Sequence, residues 1–296
     1  MKKIIFMAAM SALVLGFTSC NHDDNPVEEA QNSSALIVRT DIQTRATISE
    51  FSRSAELGLF VTSGKLGNNY HSLPDNSNVC STYDGTYWEQ SPAVYLNSAP
   101  ATVYAYYPYV ASSTNGKAIP VEHITQKDYM YGTHSIGQNS INNLNPVVRL
   151  TMRHALSLII FQFEPCDYSG TGKVTQVGIM NAQGKKVLFS EGRMDISTGK
   201  ITGSDGKNEM AVTNEIEGNQ CAKLMVLPTS VPSTGDIFVQ FKIDGKPYTW
   251  KVPAETVWTG GTKYTYTVKV SDKKITVGNV IIKDWDTQSD KPAYLY

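Results

Sequence analysis

Apolar and polar residues alternate with a period of two along much of this chain, and that rhythm restricts its fold more than any motif does. In ALIVRTDIQT, Leu36, Val38 and Ile42 fall on one side and Arg39, Asp41 and Gln43 on the other. Successive side chains of an extended chain point to opposite faces, so such a segment predicts a strand with one face buried. The rhythm returns in TVYAYYPYV (102–110), and LGLFVTS (57–63) and KYTYTVKV (263–270) read as further strands. The longest apolar run beyond the N-terminus is ALSLIIFQF (155–163). Its β-branched and aromatic residues, and the proline at 165, favour a buried strand over a helix.

Gly, Pro, Asn and Asp punctuate these runs. In IDGKPY, Asp244-Gly245 can take the positive φ that a tight hairpin turn demands. VTQVGIMNAQGKKV (174–187) predicts another hairpin, turning at Gly184. No segment of helix length carries an apolar stripe of period 3.6. The chain therefore predicts an all-β fold of two sandwiches, with the boundary in the Pro, Ser and Gly cluster at 165–172. That division gives an N-terminal sandwich over 46–168 and a C-terminal one over 169–296.

The formal net charge is -1 and no run of Lys and Arg occurs. Phosphate binding needs a clustered basic surface, so nucleic acid is not an expected partner.

The first residues have a different character. Lys2 and Lys3 precede the apolar stretch IIFMAAMSALVLGF (4–17), which as a helix would span only about 21 Å. A hydrocarbon core is about 30 Å thick, so residues 1–19 predict a cleaved signal rather than a spanning helix. The stretch Phe17-Thr18-Ser19-Cys20 resembles a loosened bacterial lipobox of the Bacteroidetes type, which would make Cys20 the lipid-bearing residue. Ordinary secretion with an incidental cysteine is the other reading. Residues 20–34 then form a flexible acidic tether. In it Asp23 and Asp24 resemble the surface-export signal of such lipoproteins. Cys80, Cys166 and Cys221 are left, an odd number without a CxxC pair, so free thiols are expected although one disulfide stays open.

Chemistry-bearing constellations are sparse. His22, His71, His123, His134 and His154 form neither HxH nor HExxH, and there is no GxSxG elbow and no glycine-rich phosphate loop. The chain therefore predicts no enzyme, no cofactor and no metal. His154 reads as a hydrogen-bonded residue at a strand end. His134 with Asp128 lacks the third partner of a catalytic triad. The aromatic clusters TYWEQ (86–90) and YAYYPY (104–109) could stack on sugars. However, Tyr107 and Tyr109 share one face with Val103, as a core stripe would, so packing is the preferred reading.

Taken in order, several stretches resemble the fimbrillin-like (Mfa-like) family of Bacteroidetes type V pilus lipoproteins. They are Arg45-Ala46-Thr47, AYYPY (105–109), DYMYGTHS (128–135), RLTMRHALSLIIFQF (149–163), VLPTSV (226–231), VWTGGTKYTYTVKV (257–270) and VIIKDW (280–285). The resemblance implies two consecutive Greek-key (transthyretin-like) β-sandwich domains. It also implies export to the outer membrane surface as a lipoprotein, held to the membrane only through its N-terminal lipid. An arginine-specific surface protease would cut Arg45-Ala46, remove the strand over 35–45 and open a groove for a strand from a neighbouring subunit. Arg39 and Arg53 are the other nearby candidates, but Arg45 alone follows the strand and precedes a small residue.

Physical chemistry agrees with that scheme. Burying Leu36, Val38 and Ile42 would contribute roughly 5–9 kcal/mol, comparable with the whole net stability of a domain. A sheet that loses such a strand exposes an edge that templates pairing, and a head-to-tail contact of this kind propagates as a fibre. The candidate donor is KITVGNVIIKDW (274–285). Ile275 and Val277 make one short strand there, Val280 and Ile282 a second across Gly278-Asn279, and Trp285 is an anchor for a partner's pocket. Both strands could equally complete their own sandwich. The expected partners are other pilin subunits, the protease, and a host or bacterial glycan or protein receptor. The rival expectation is a surface-anchored glycan- or protein-binding lipoprotein that does not polymerise, with a tip adhesin between the two.

Overall fold

A computed structural model describes residues 33–42, 51–134, 137–204, 210–218 and 220–285 of the chain. As the alternation predicted, the fold is all-β. The strands of three or more residues begin with β1 (Ile37–Ile42), β2 (Glu56–Thr62), β3 (Val79–Tyr83), β4 (Trp88–Ser91) and β5 (Thr102–Tyr107). Next come β6 (Ile119–Glu122), β7 (Met130–His134), β8 (Val147–His154), β9 (Ser157–Pro165) and β10 (Val174–Asn181). The second half adds β11 (Glu191–Met194), β12 (Ile201–Gly203), β13 (Ala211–Thr213) and β14 (Cys221–Val226). The last are β15 (Ile237–Ile243), β16 (Lys246–Lys251), β17 (Thr262–Val270) and β18 (Ile275–Asp284).

The first sheet closes on itself in the order β8-β1-β4-β3-β2-β5-β7. Its interior holds the inward residues of alternating strands, among them Leu36, Val38, Leu57, Trp88, Val103 and Leu150. The second half is a sandwich. One layer carries β14-β9-β17-β18 and the other β13-β10-β15-β16, around a core that includes Phe161, Phe241 and Tyr266.

A third cluster joins the two halves. It brings Phe60 and Tyr106, on the outer face of the barrel, together with Leu158 and Ile160 of β9. This explains two features of the sequence. Strand β9 is apolar on both faces because one meets the sandwich core and the other the barrel. Tyr106 is fully buried although it points away from Val103, because the barrel's outer face is itself covered there. Strands β6, β11 and β12 share a small sheet, so residues far apart in the chain pair across the junction. Gln126 adds a link, accepting from Met225 N at 2.8 Å and donating to Met225 O at 2.9 Å.

Three sequence expectations are corrected. The change of sheet falls at Ala155-Leu156, between β8 and β9, ahead of the 165–172 cluster. Both residues are fixed there, by Ala155 N to Tyr129 O and Gly261 N to Leu156 O, each 2.8 Å. The Gly184 turn forms, with φ of 75°, but no hairpin follows it. Instead the Asn181 side chain caps Val187 N, Leu188 N and Leu188 O, turning Leu188 into the core. Finally, 275–284 is one strand and not two. By contrast, Asp244 (φ 46°) and Gly245 (φ 76°) form the hairpin turn between β15 and β16 that the sequence predicted.

Candidate functional site

Strand β1 occupies an unusual place in the barrel. It pairs in parallel with β8 from Ile37–Val147 to Ile42–Met152, whereas its other side meets β4 at one pair only, Val38–Trp88. Further ties are Ile37 N to Pro146 O and Leu36 N to Val94 O, both 2.8 Å, and Trp88 Nε1 to Thr40 Oγ1 at 3.0 Å. Leu36 and Val38 are buried in the barrel core, worth about 3–6 kcal/mol together. Ile42 pairs with Met152 at the end of the strand. Since β1 alone stands between β8 and β4, its removal would turn the barrel into an open sheet with two free edges over an apolar interior.

Among the arginines near this strand, Arg39 lies within the ladder, exposed beside Arg149, with its guanidinium 5.9 Å from the Tyr87 ring centroid. Arg53 is exposed in the turn before β2. Cys20, Arg45 and Ala46 lie outside the described residues.

Among the described residues, strand β18 is the edge of its layer and pairs only with β17. Its register shifts at Gly278-Asn279, where two residues oppose Thr267 alone, so what the sequence suggested as a break between strands is a β-bulge. The bulge resets the alternation, so that Ile275, Val277 and Val280 all pack against the sandwich core. Ile282 remains 59% exposed.

Trp285, just past the strand, is completely buried in its own chain. It stacks on His154, with ring centroids 4.2 Å apart, and its backbone N–H donates to Gly261 O at 2.8 Å. His154 in turn pairs through Nδ1 with Asp128, at 2.9 Å to Oδ1 and 2.7 Å to Oδ2. His154 is thus the hydrogen-bonded strand-end residue that the sequence suggested. The Trp285–His154–Asp128 arrangement was invisible in the sequence, since its members lie far apart in the chain. His134 is not part of it. Its Nε2 accepts from Val103 N at 2.9 Å, and burial holds its pKa below the ordinary value.

The described residues include no group of three or more His, Cys, Asp or Glu placed to hold a metal ion. Cys80, Cys166 and Cys221 are not joined in a disulfide, and Cys166 is exposed. Of the aromatic clusters named from the sequence, Trp88 and Tyr106 are buried and Tyr107 packs against the barrel interior, whereas Tyr87 is 48% exposed. A cleft of about 520 Å³ lies elsewhere, between β16, the 253–257 loop and β18.

A profile of the fimbrillin-like family matches residues 44–285, which leaves β1 outside the match. No curated protein sequence matches the chain. Among solved structures, a candidate cell adhesion protein of Bacteroides uniformis superposes with a TM-score of 0.64 at 19% identity, covering 86% of this chain and 99% of its own. A second, from Bacteroides ovatus, gives 0.65 at 17% identity over 86% and 99%. The tip fimbrial protein Mfa3 of Porphyromonas gingivalis, with a C-terminal truncation, gives 0.53 at 11% identity over 86% and 100%. At these identities the three share the fold.

Proposed function

This chain belongs to the fimbrillin-like family, and on that premise we propose that it is a structural subunit of a cell-surface pilus, assembled by strand exchange after proteolysis and supporting adhesion. The observation that carries this reading is the position of β1, the one strand between β8 and β4 and the one that precedes the family match. A cut at Arg45-Ala46 would fall after that strand. Once cut free, β1 is held by its ladder with β8, by the Val38–Trp88 pair, by three further hydrogen bonds and by the burial of Leu36 and Val38. An incoming strand that restores the same hydrogen bonds and apolar contacts competes with it on equal terms, and a free sheet edge favours such pairing.

In this scheme Cys20 carries the lipid that brings the precursor to the outer membrane surface, and an arginine-specific protease triggers assembly. Strand β18 with Trp285 is the candidate donor; in the isolated subunit it completes its own sandwich. Limited trypsin treatment of the purified precursor, followed by N-terminal sequencing and size-exclusion chromatography, tests the proposal. A new N-terminus at Ala46 with growth of high-mass species supports it. A cut product that stays monomeric and stable contradicts it and leaves the anchored, non-polymerising lipoprotein as the alternative.

A further inference from the structure

We propose that the cleft between β16 and β18 is a binding site for a neutral sugar residue of a surface glycan. The inference deepens the adhesive part of the reading above and, since β18 lines the cleft, it concerns a subunit whose β18 stays in its own sandwich, as in the precursor.

The cleft combines an apolar floor with a polar rim, the pairing that orients small ligands. Trp250 is half-buried, with its ring 5.1 Å from that of Tyr266. The buried rings of Tyr264 and Tyr266 are fixed, because their hydroxyls accept from Thr259 N at 2.8 Å and Trp258 Nε1 at 2.9 Å. Val277 and Val280 both line the cleft because the Gly278-Asn279 bulge lets residues three apart face the same way. Bulges often sit where a strand edge must re-aim side chains at a site.

The rim is held in place and chemically unoccupied. Glu255 has φ of 64°, unusual for a residue with a side chain. The reciprocal bonds Glu255 N to Val231 O and Val231 N to Thr256 O, both 2.9 Å, hold the loop there. Neither the Glu255 carboxylate nor the Asn279 amide makes a hydrogen bond or ion pair among the described residues. No Lys or Arg lines the cleft, so an anionic ligand would meet one carboxylate and no counter-charge. A pyranose meets each requirement. One face is a patch of C–H groups that packs on an aromatic ring, and its edge carries hydroxyls that a carboxylate accepts from and an amide pairs with in both directions.

The test is saturation-transfer NMR on the intact precursor with galactose, glucose, mannose, fucose, N-acetylglucosamine and lactose as probes. Saturation should reach the C–H protons of at least one probe. Its affinity should fall about tenfold in Trp250→Ala. Because Trp250 also packs on Tyr266, the exposed pair Glu255→Gln/Asn279→Ala serves as a second variant; it should weaken binding while leaving the melting temperature unchanged. If no probe is saturated, or if binding persists in both variants, the proposal is wrong. It is equally wrong if the cleft proves to capture an extended peptide along the free edge of β18. None of these measurements involves the Arg45 cut, so a failure here leaves the assembly mechanism standing, and a failure of assembly leaves this site standing.

Discussion

Trp285 lies flat on His154, with ring planes 9° apart and centroids separated by 4.2 Å, so the last residue of the family match is clasped by the first half of the molecule. The clasp is dry: Trp285 is fully buried and His154 is 2% exposed. It makes β18 more than the edge of a sandwich, because the strand's end is tied to the strand that leads out of the barrel.

Trp285→Ala should therefore lower stability by about 3–5 kcal/mol, the usual cost of deleting a buried indole. Denaturant unfolding of Trp285→Ala, His154→Ala and the double variant isolates the contact. A coupling of about 0.5–1.5 kcal/mol is expected between the two rings. Independent effects would mean that the stack contributes only burial.

Leu36→Ala should cost the precursor about 2–5 kcal/mol, since the side chain fills the barrel core. After cleavage at Arg45 and assembly, the same substitution should have no effect, because the residue has left with its strand. Thermal melts of the precursor and of the assembled form, each with and without the substitution, check this.

Much of this was legible in the sequence, for local reasons. The alternation in 36–42 located β1 and named Leu36 and Val38 as its buried side, because a strand's two faces are written in adjacent residues. Asp244-Gly245 marked its hairpin because the turn needs positive φ at both positions. What escaped depends on residues far apart in the chain. The parallel pairing of Arg39 with Arg149 closes the barrel, and nothing near Arg39 encodes that partner. The sheet change at Ala155-Leu156 carries no Pro or Gly, whereas the 165–172 cluster does, so turn composition pointed to the wrong place. The rim of the cleft escaped as well, since Trp250, Glu255 and Asn279 belong to three separate segments.

Stability should depend on His134 near neutral pH. Burial lowers its folded pKa below the ordinary 6.5, so the unfolded chain takes up the proton first as pH falls. The stability from neutral His134 is then fully present above the ordinary value and is lost as pH drops towards the folded one. His134→Gln keeps an acceptor for Val103 N without titrating. Between about pH 7 and pH 5, unfolding free energies should fall less steeply in that variant than in the wild type.

The central claim is that β1 must leave before subunits can join. The in-register pair Arg39 and Arg149 allows a direct test, since both are exposed and sit opposite each other in the ladder. The Arg39→Cys/Arg149→Cys variant, with exposed Cys166 changed to Ser, should form a disulfide that fastens β1 to β8. Treated with trypsin while oxidised, it should be cut at Arg45 yet remain monomeric on size exclusion, and adding a reductant should then release β1 and start polymer growth. Polymerisation of the oxidised, cut protein at the rate of the reduced one would contradict the account.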